Sequence, residues 1–282
     1  STDSAYHGLQ LSARQRFSDG LQFQASYTFG RSLDNNSRVN FSDLQDNLSA
    51  FPPDNYDLST NRGLSTHDVR HNFSFNFVYE LPRTDLSGAA GHFLNGWQVN
   101  GILSLSTGNP LHVRHGVNDW NRDRASAGGG LPERPSLRSG ANNNPVLFDG
   151  REPQQYWDTS VFFSQDQGFI GDVGRNTLIG PGVATFDFSL FKKTGLTEEV
   201  DLQFRAEFFN LFNRANFSTP NRAAMSVFTG VSTTAVDCSI YGAAPGPGCN
   251  QVNVATENVN AGIISRTTTT SRQIQLALRL LF

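Results

Sequence analysis

The sequence predicts an all-β fold: an antiparallel transmembrane β-barrel, of which these 282 residues form the C-terminal portion with about seven strands. Three observations predict it. The final residues, Ile274-Gln275-Leu276-Ala277-Leu278-Arg279-Leu280-Leu281-Phe282, place an apolar side chain at every second position and end on phenylalanine. Similar alternation recurs upstream in segments close to the length of a tilted spanning strand, and the connections between those segments are by turns short and long.

Each strand rests on its own pattern. Side chains alternate faces along a strand, so Ile274, Leu276, Leu278, Leu280 and Phe282 share one apolar face while Gln275 and Arg279 point away. At the other end of the chain, Leu9, Leu11 and Ala13 alternate with Gln10, Ser12 and Arg14. Ser18-Asp19-Gly20 makes a tight turn, after which Leu21, Phe23, Ala25, Tyr27 and Phe29 alternate with Gln22, Gln24, Ser26 and Thr28, completing a hairpin. The third strand sets Phe73, Phe75, Phe77, Tyr79 and Leu81 against Asn72, Ser74, Asn76 and Glu80, and stops at Pro82. The fourth runs through Trp97, Val99, Gly101, Leu103 and Leu105, with Gln98, Asn100 and Ser104 opposite. The fifth carries Phe186, Phe188 and Leu190, and the sixth Val200, Leu202, Phe204, Ala206 and Phe208 against Asp201, Gln203, Arg205 and Glu207. Phe73, Phe75, Phe77, Tyr79, Phe186, Phe188, Leu202 and Phe204 are therefore expected to face lipid, and the charged positions a hydrated lumen.

Connection lengths test this independently. The turn near Asp19, the link from Arg83 to Gly96 and the turn near Thr197 fall on the side of the C-terminus, the periplasmic side of a bacterial outer-membrane barrel. The segments Leu33 to Asp68, Asn109 to Ala184 and Asn213 to Thr270 fall outside. In a soluble domain, connections this long would argue against the strands.

Composition narrows the function classes. Phe is 23 of the residues, Gly 26 and Met one. The mean hydropathy of −0.38 leaves no run near the roughly 20 apolar residues of a spanning helix, whereas barrel strands spread their apolarity too thinly to register. A net charge of −3 offers no basic footprint for nucleic acid. The chain opens on Ser1 without an initiator Met or an export signal, so a longer precursor is expected. Cys238 and Cys249 lie in a Gly/Pro-rich stretch where they could close a small loop disulfide in an oxidising compartment, or remain free thiols.

Other groups each have two readings. Trp120, Tyr156, Trp157, Phe162 and Phe163 in the long loops suit either a ligand vestibule or a small core between loops. Asn210, Phe212, Asn213 and Asn216 at the outer end of the sixth strand suit anchoring and turn hydrogen bonding better than ligand contact. His67, Asp68 and His71 are close in sequence but lack a complete ligand set, so no metal is expected. Gly171 to Gly182 has the glycine count of a phosphate cradle without its Lys-Ser/Thr ending, and no cofactor is expected.

Taken in order, Gly171-Asp-Val-Gly174-Arg-Asn176-Thr-Leu-Ile-Gly180-Pro181-Gly182, Asp187-Phe-Ser-Leu-Phe-Lys192-Lys193 and Arg205-Ala-Glu-Phe-Phe-Asn210-Leu-Phe-Asn213 resemble the C-terminal barrel region of TonB-dependent outer-membrane receptors, the Oar-like group in particular. His67-Asp-Val-Arg70-His71 and the segment from Arg272 to Phe282 are similar to that group too, so the likeness spans nearly the whole chain. The resemblance implies a barrel of about 22 strands around a plug, the size of a plugged transporter. It also implies energy passed from TonB, ExbB and ExbD through an N-terminal region not in this sequence, and members often carry a carboxypeptidase-regulatory-like domain there.

Residues 1–282 are accordingly expected to be a single partial domain supplying barrel wall, surface loops and the assembly signal Ile274, Leu276, Leu278, Leu280 and Phe282, read by the barrel assembly machinery. The expected partners are outer-membrane lipid, that machinery, the TonB complex and an unidentified ligand of carbohydrate, peptide or siderophore type. A passive porin or surface adhesin is the alternative. An outer-membrane lipase or protease is disfavoured, because no spacing sets a nucleophile, base and orienting acid together.

Overall fold

The computed structural model describes residues 3–37, 57–115, 134–147, 153–164, 170–231 and 251–282, with backbone alone for 225–231 and 251–257. Alternating segments and tight turns produce a run of strands in chain order: β1 (Ser4–Ser18), β2 (Leu21–Asp34), β3 (Gly63–Leu64), β4 (His71–Glu80), β5 (Trp97–Ser106), β6 (Pro110–Leu111) and β7 (Ser136–Leu137). They continue as β8 (Phe162–Phe163), β9 (Leu178–Ile179), β10 (Val183–Gly195), β11 (Asp201–Phe209), β12 (Met225–Val231), β13 (Gln251–Glu257) and β14 (Gln273–Leu281). One short helix, α1 (Gly88–Leu94), interrupts them.

The main sheet has the order β1-β2-β4-β5-β10-β11-β14, with β3 added to the end of β2. Its seven long strands are the seven expected from alternation. Each pairs antiparallel with the next long strand in the chain, so the wall is an up-and-down meander. It is open: β1 pairs with β2 alone and β14 with β11 alone among the described residues. Asp19 and Gly20 both have positive φ, 50° and 81°, the two-residue turn whose twist suits a hairpin. A Cβ on Gly20 would sit 2.5 Å from the Glu80 carbonyl oxygen, so that turn also depends on the missing side chain.

Long connections hold more structure than the sequence indicates. The segment between β11 and β14 contains the hairpin β12–β13, and the segment between β5 and β10 contains the short pairs β6–β9 and β7–β8. On the short-turn side, the link between β4 and β5 carries α1. No helix among the described residues is long and apolar enough to cross a membrane.

The hydrophobic core lies in these connections. Leu111, Val113, Tyr156, Trp157, Phe162, Val173, Leu178, Ala224, Ala261 and Ile264 form one buried cluster. Of the buried apolar side chains in the described residues, Ala206 alone belongs to the wall. Among the described residues the main sheet is a single layer, and the buried cluster lies in the connections and not on its apolar face.

Candidate functional site

The wall's apolar face is assembled by register. Phe75 lies opposite Ala25 on one side and Leu103 on the other, and Phe77 opposite Phe23 and Gly101. Phe186 and Phe188 continue the row opposite Leu103 and Gly101, Leu202 and Phe204 pair with Leu280 and Leu278, and Phe208 with Ile274. Phe73 and Tyr79 pair with Leu105 and Val99 on the same face. A Cβ on Gly101 would fall 2.4 Å from Cε1 of Phe77 and 3.1 Å from Cε2 of Phe186, so the glycine makes room for two neighbouring rings. Ring centroids of Phe75 and Phe77 are 5.7 Å apart and those of Phe188 and Phe208 6.3 Å, a contact range favourable for aromatic pairs. On β14, Ile274, Leu276, Leu278 and Leu280 are exposed, and Phe282 stands beyond the strand fully exposed.

The opposite face is polar, with Ser26 and Ser74 hydroxyls 2.9 Å apart and the Gln98 amide donating to Asn100 at 2.7 Å. Val78, Ile102 and Phe191 depart from this pattern. Phe191 lies opposite Arg205 in register, with the guanidinium 4.5 Å over its ring, so the polar face holds a cation–π pair instead of bare apolar surface.

Asparagines close the long-connection end of the wall. Asn210 and Asn213 adopt left-handed conformations, which Asn tolerates better than most residues. The Asn210 amide donates to the carbonyls of Arg214 and Thr270, and its oxygen accepts from the Arg214 N–H. Asn213 accepts from the Arg272 N–H, while buried Asn216 accepts from and donates to the Ala184 backbone, at 2.8 and 3.1 Å. Three loop ends are thus held by side chains imitating backbone. Phe212 stays largely exposed and stacks on Phe186 at 5.6 Å.

His67, Asp68 and His71 go to separate tasks. His67 is exposed, Asp68 is buried and accepts the Ser32 N–H at 2.5 Å, and His71 Nδ1 lies 2.8 Å from the Tyr27 hydroxyl. Among the described residues no cluster of His, Cys, Asp and Glu is arranged to hold a metal ion.

Above the wall, the long connections pack into a layer. Tyr156, Trp157 and Phe162 are fully buried there, Trp157 and Phe162 meeting edge to face at 5.2 Å, so these three build the core between loops. Phe163 remains partly exposed beneath the Arg138 guanidinium. Trp120, Cys238 and Cys249 lie outside the described residues. Buried polar contacts cross the layer: Arg175 donates to the Asp34 carboxylate and carbonyl and to the Ser37 hydroxyl, Arg134 to Asn61 and Thr60, and Asn176 to the Leu64 carbonyl. Within the Gly171–Gly182 stretch, Arg175 and Asn176 reach back to the end of β2 and to β3, which places that stretch as a loop clasp.

The layer shifts several acid–base equilibria. Burial pushes the Tyr156 phenol up while its hydroxyl donates to the Ile179 carbonyl. Burial, reinforced by the charges of Arg134, Arg222, Arg175 and Arg114, holds His112 well below the usual imidazole range. His115 is lowered by burial to about 4, with Nε2 2.8 Å from the Ser164 hydroxyl. That pair has the spacing of a nucleophile and base, but an imidazole so depressed is a weak base at neutral pH.

At the short-turn end, α1 is fastened by side chains the alternation had placed but not connected. Trp97 Nε1 donates to the Phe93 carbonyl at 2.8 Å, and the Lys192 ammonium donates to the carbonyls of His92 and Asn95. A cleft of about 510 Å³ opens beside it, lined by Glu80, Gln98, Lys193 and Asp201 from the wall and by Gly91 and His92 from the helix. Seven residues, two of them glycine, are too short for helical periodicity, so nothing in the sequence signalled α1.

A family model described as "Outer membrane beta barrel domain" matches residues 1–275. No curated protein and no solved structure matches the chain.

Proposed function

The chain belongs to the outer membrane beta barrel domain family and resides in the bacterial outer membrane, and from that premise we propose that it is part of a TonB-dependent receptor that takes up a ligand by active transport. It supplies barrel wall and the folded outer loops. The observation that carries the reading is the open seven-stranded wall under a loop layer with its own buried core. Seven meandering strands whose sheet is left open at β1 and β14 among the described residues suit a large barrel, and about 22 strands is the size class that encloses a plug. The order of Gly171–Gly182, Asp187–Lys193 and Arg205–Asn213 motifs, similar to the Oar-like group, supports the same reading. The apolar face carrying Phe73, Phe75, Phe77, Tyr79, Phe186, Phe188, Leu202 and Phe204 then meets lipid, and the polar face the lumen. No catalytic step is assigned to it.

In this reading a carbohydrate, peptide or siderophore binds above the loop layer, and the bound state is passed to a plug on which TonB acts. A passive porin or adhesin would share the wall but not the coupling. The test uses the full-length protein in planar bilayers with KCl and a pull-down with the periplasmic domain of TonB. A closed barrel that captures TonB is expected; a steady open conductance without TonB capture would move the assignment to a porin.

A further inference from the structure

The face parity of β5 and β10 fixes where α1 sits. Trp97 shares its face with Val99, Leu103 and Leu105, and Lys192, its partner in register, shares the face of Phe186, Phe188 and Leu190. Both side chains therefore leave the wall on its apolar side. Both are bonded to carbonyls of the last helical turn, and the Lys192 ammonium lies 5.5 Å over the Trp97 ring.

The helix itself is two-faced. Gly88, Gly91, His92 and Asn95, spaced three and four residues apart, line the cleft at the strand ends together with Leu81, Leu86, Trp97 and the polar-face residues Gln98 and Asp201. The opposite side is Ala89, Ala90, Phe93 and Leu94, with Phe93 71% and Leu94 44% exposed. An apolar helix face turned from the cleft, on a helix held by a Trp and a Lys that leave the wall on its apolar side, matches the pattern of an element seated at a membrane boundary.

We propose that α1 is an interfacial helix: Phe93 and Leu94 enter the boundary between headgroups and acyl chains of the periplasmic leaflet, while Lys192 remains at the level of the lipid phosphates. The helix is thereby a lipid-contacting anchor at the wall's inner rim. The proposal rests on the lipid-facing reading of the wall and adds a contact outside the strands.

The test places a nitroxide at Phe93→Cys in full-length protein carrying Cys238→Ser and Cys249→Ser, reconstituted in phosphatidylethanolamine–phosphatidylglycerol vesicles. Leu278→Cys and Ser189→Cys labels report the two wall faces. Collision with oxygen relative to a water-soluble nickel chelate is expected to be several times higher at Phe93 than at Ser189, and to approach the Leu278 value. With Leu278 reading as lipid, ready access of nickel to Phe93, or shielding of Phe93 from both reagents, would overturn the proposal. A Leu278 label that reads as water would refute the wall reading first and the helix assignment with it. Phe93 is mostly exposed, so its replacement leaves the packing intact.

Discussion

Arg175 and Asp34, 141 positions apart in sequence, form an ion pair from which water is excluded on both sides. Asp34 lies beyond Phe29, the last β2 residue paired with β4, and pairs with Ser4 of β1 and Gly63 of β3, so the ion pair sits at the outer end of the wall and ties the end of β2 to the loop that leads toward β9. Removing one partner strands a buried charge, which costs about 3–5 kcal/mol. Arg175→Met is expected to loosen the loop layer by that order while the strands keep their protection. Hydrogen exchange resolved by segment checks this: residues 57–69 and 170–182 should exchange faster, and β4 and β5 should not change.

Acid should loosen the same layer in two separable windows. His112 and His115 are lowered in the folded protein by burial, His115 to about 4, whereas an unfolded imidazole titrates near 6.5. Below about 6.5 the unfolded chain takes up protons that the folded layer refuses, so their contribution is whole above that pH and declines as pH falls, for His115 until about 4. At Asp34 burial favours the neutral acid, but hydrogen bonds from Ser65, Ser37 and Arg175, with the charge of Arg175, outweigh it and hold the carboxyl below its ordinary value. Its contribution is present above about pH 3.9 and is lost only as pH falls through that lower folded value. Proteolysis of the outer loops between pH 7 and 5 should accelerate, and His115→Asn should flatten that slope. A slope unaltered in the variant would remove His115 from the account.

The two faces of the wall should respond differently to charge. Phe75 and Leu278 belong to the apolar side, Gln98 and Ser189 to the polar side. An Arg at Phe75 or Leu278 is expected to cost about 2–4 kcal/mol if it lies near the bilayer midplane, because the guanidinium must be drawn to the interface or hydrated there. Gln98→Arg and Ser189→Arg should be accommodated by lumen water. Urea titration of full-length protein refolded into vesicles measures both pairs, and equal losses on the two faces would sink the inside–outside assignment.

The strands were legible because a two-residue period leaves a mark at every position, and a wall without a covering layer repeats that mark on all seven strands. The asparagine stitches were half legible: Asn210 and Asn213 stand where a turn needs positive φ, but Asn216 holding the Ala184 backbone is a contact across 32 positions that no local pattern encodes. The loop core was read as one of two options, since Trp157 and Phe162 look the same in sequence whether they await a ligand or pack on each other. Arg175 with Asp34 was invisible for the same reason. Long-range pairs depend on how loops of irregular backbone meet, and period carries no information about that.

Phe282 offers a test of assembly that is independent of native stability. It follows Leu281, the last β14 residue paired with β11, and is 99% exposed, so deleting it removes no ladder bond and little packing. A thermodynamic role would therefore leave almost no trace. If the barrel assembly machinery reads the aromatic that follows β14 together with Ile274, Leu276, Leu278 and Leu280, deletion should still lower the heat-modifiable full-length barrel recovered from the outer membrane, and Phe282→Tyr should restore it. Refolding of the same deletion into detergent, where no machinery acts, should proceed as in the parent protein. Equal yields in cells would dismiss the recognition role, and a matching defect in detergent would reassign it to folding of the strand itself.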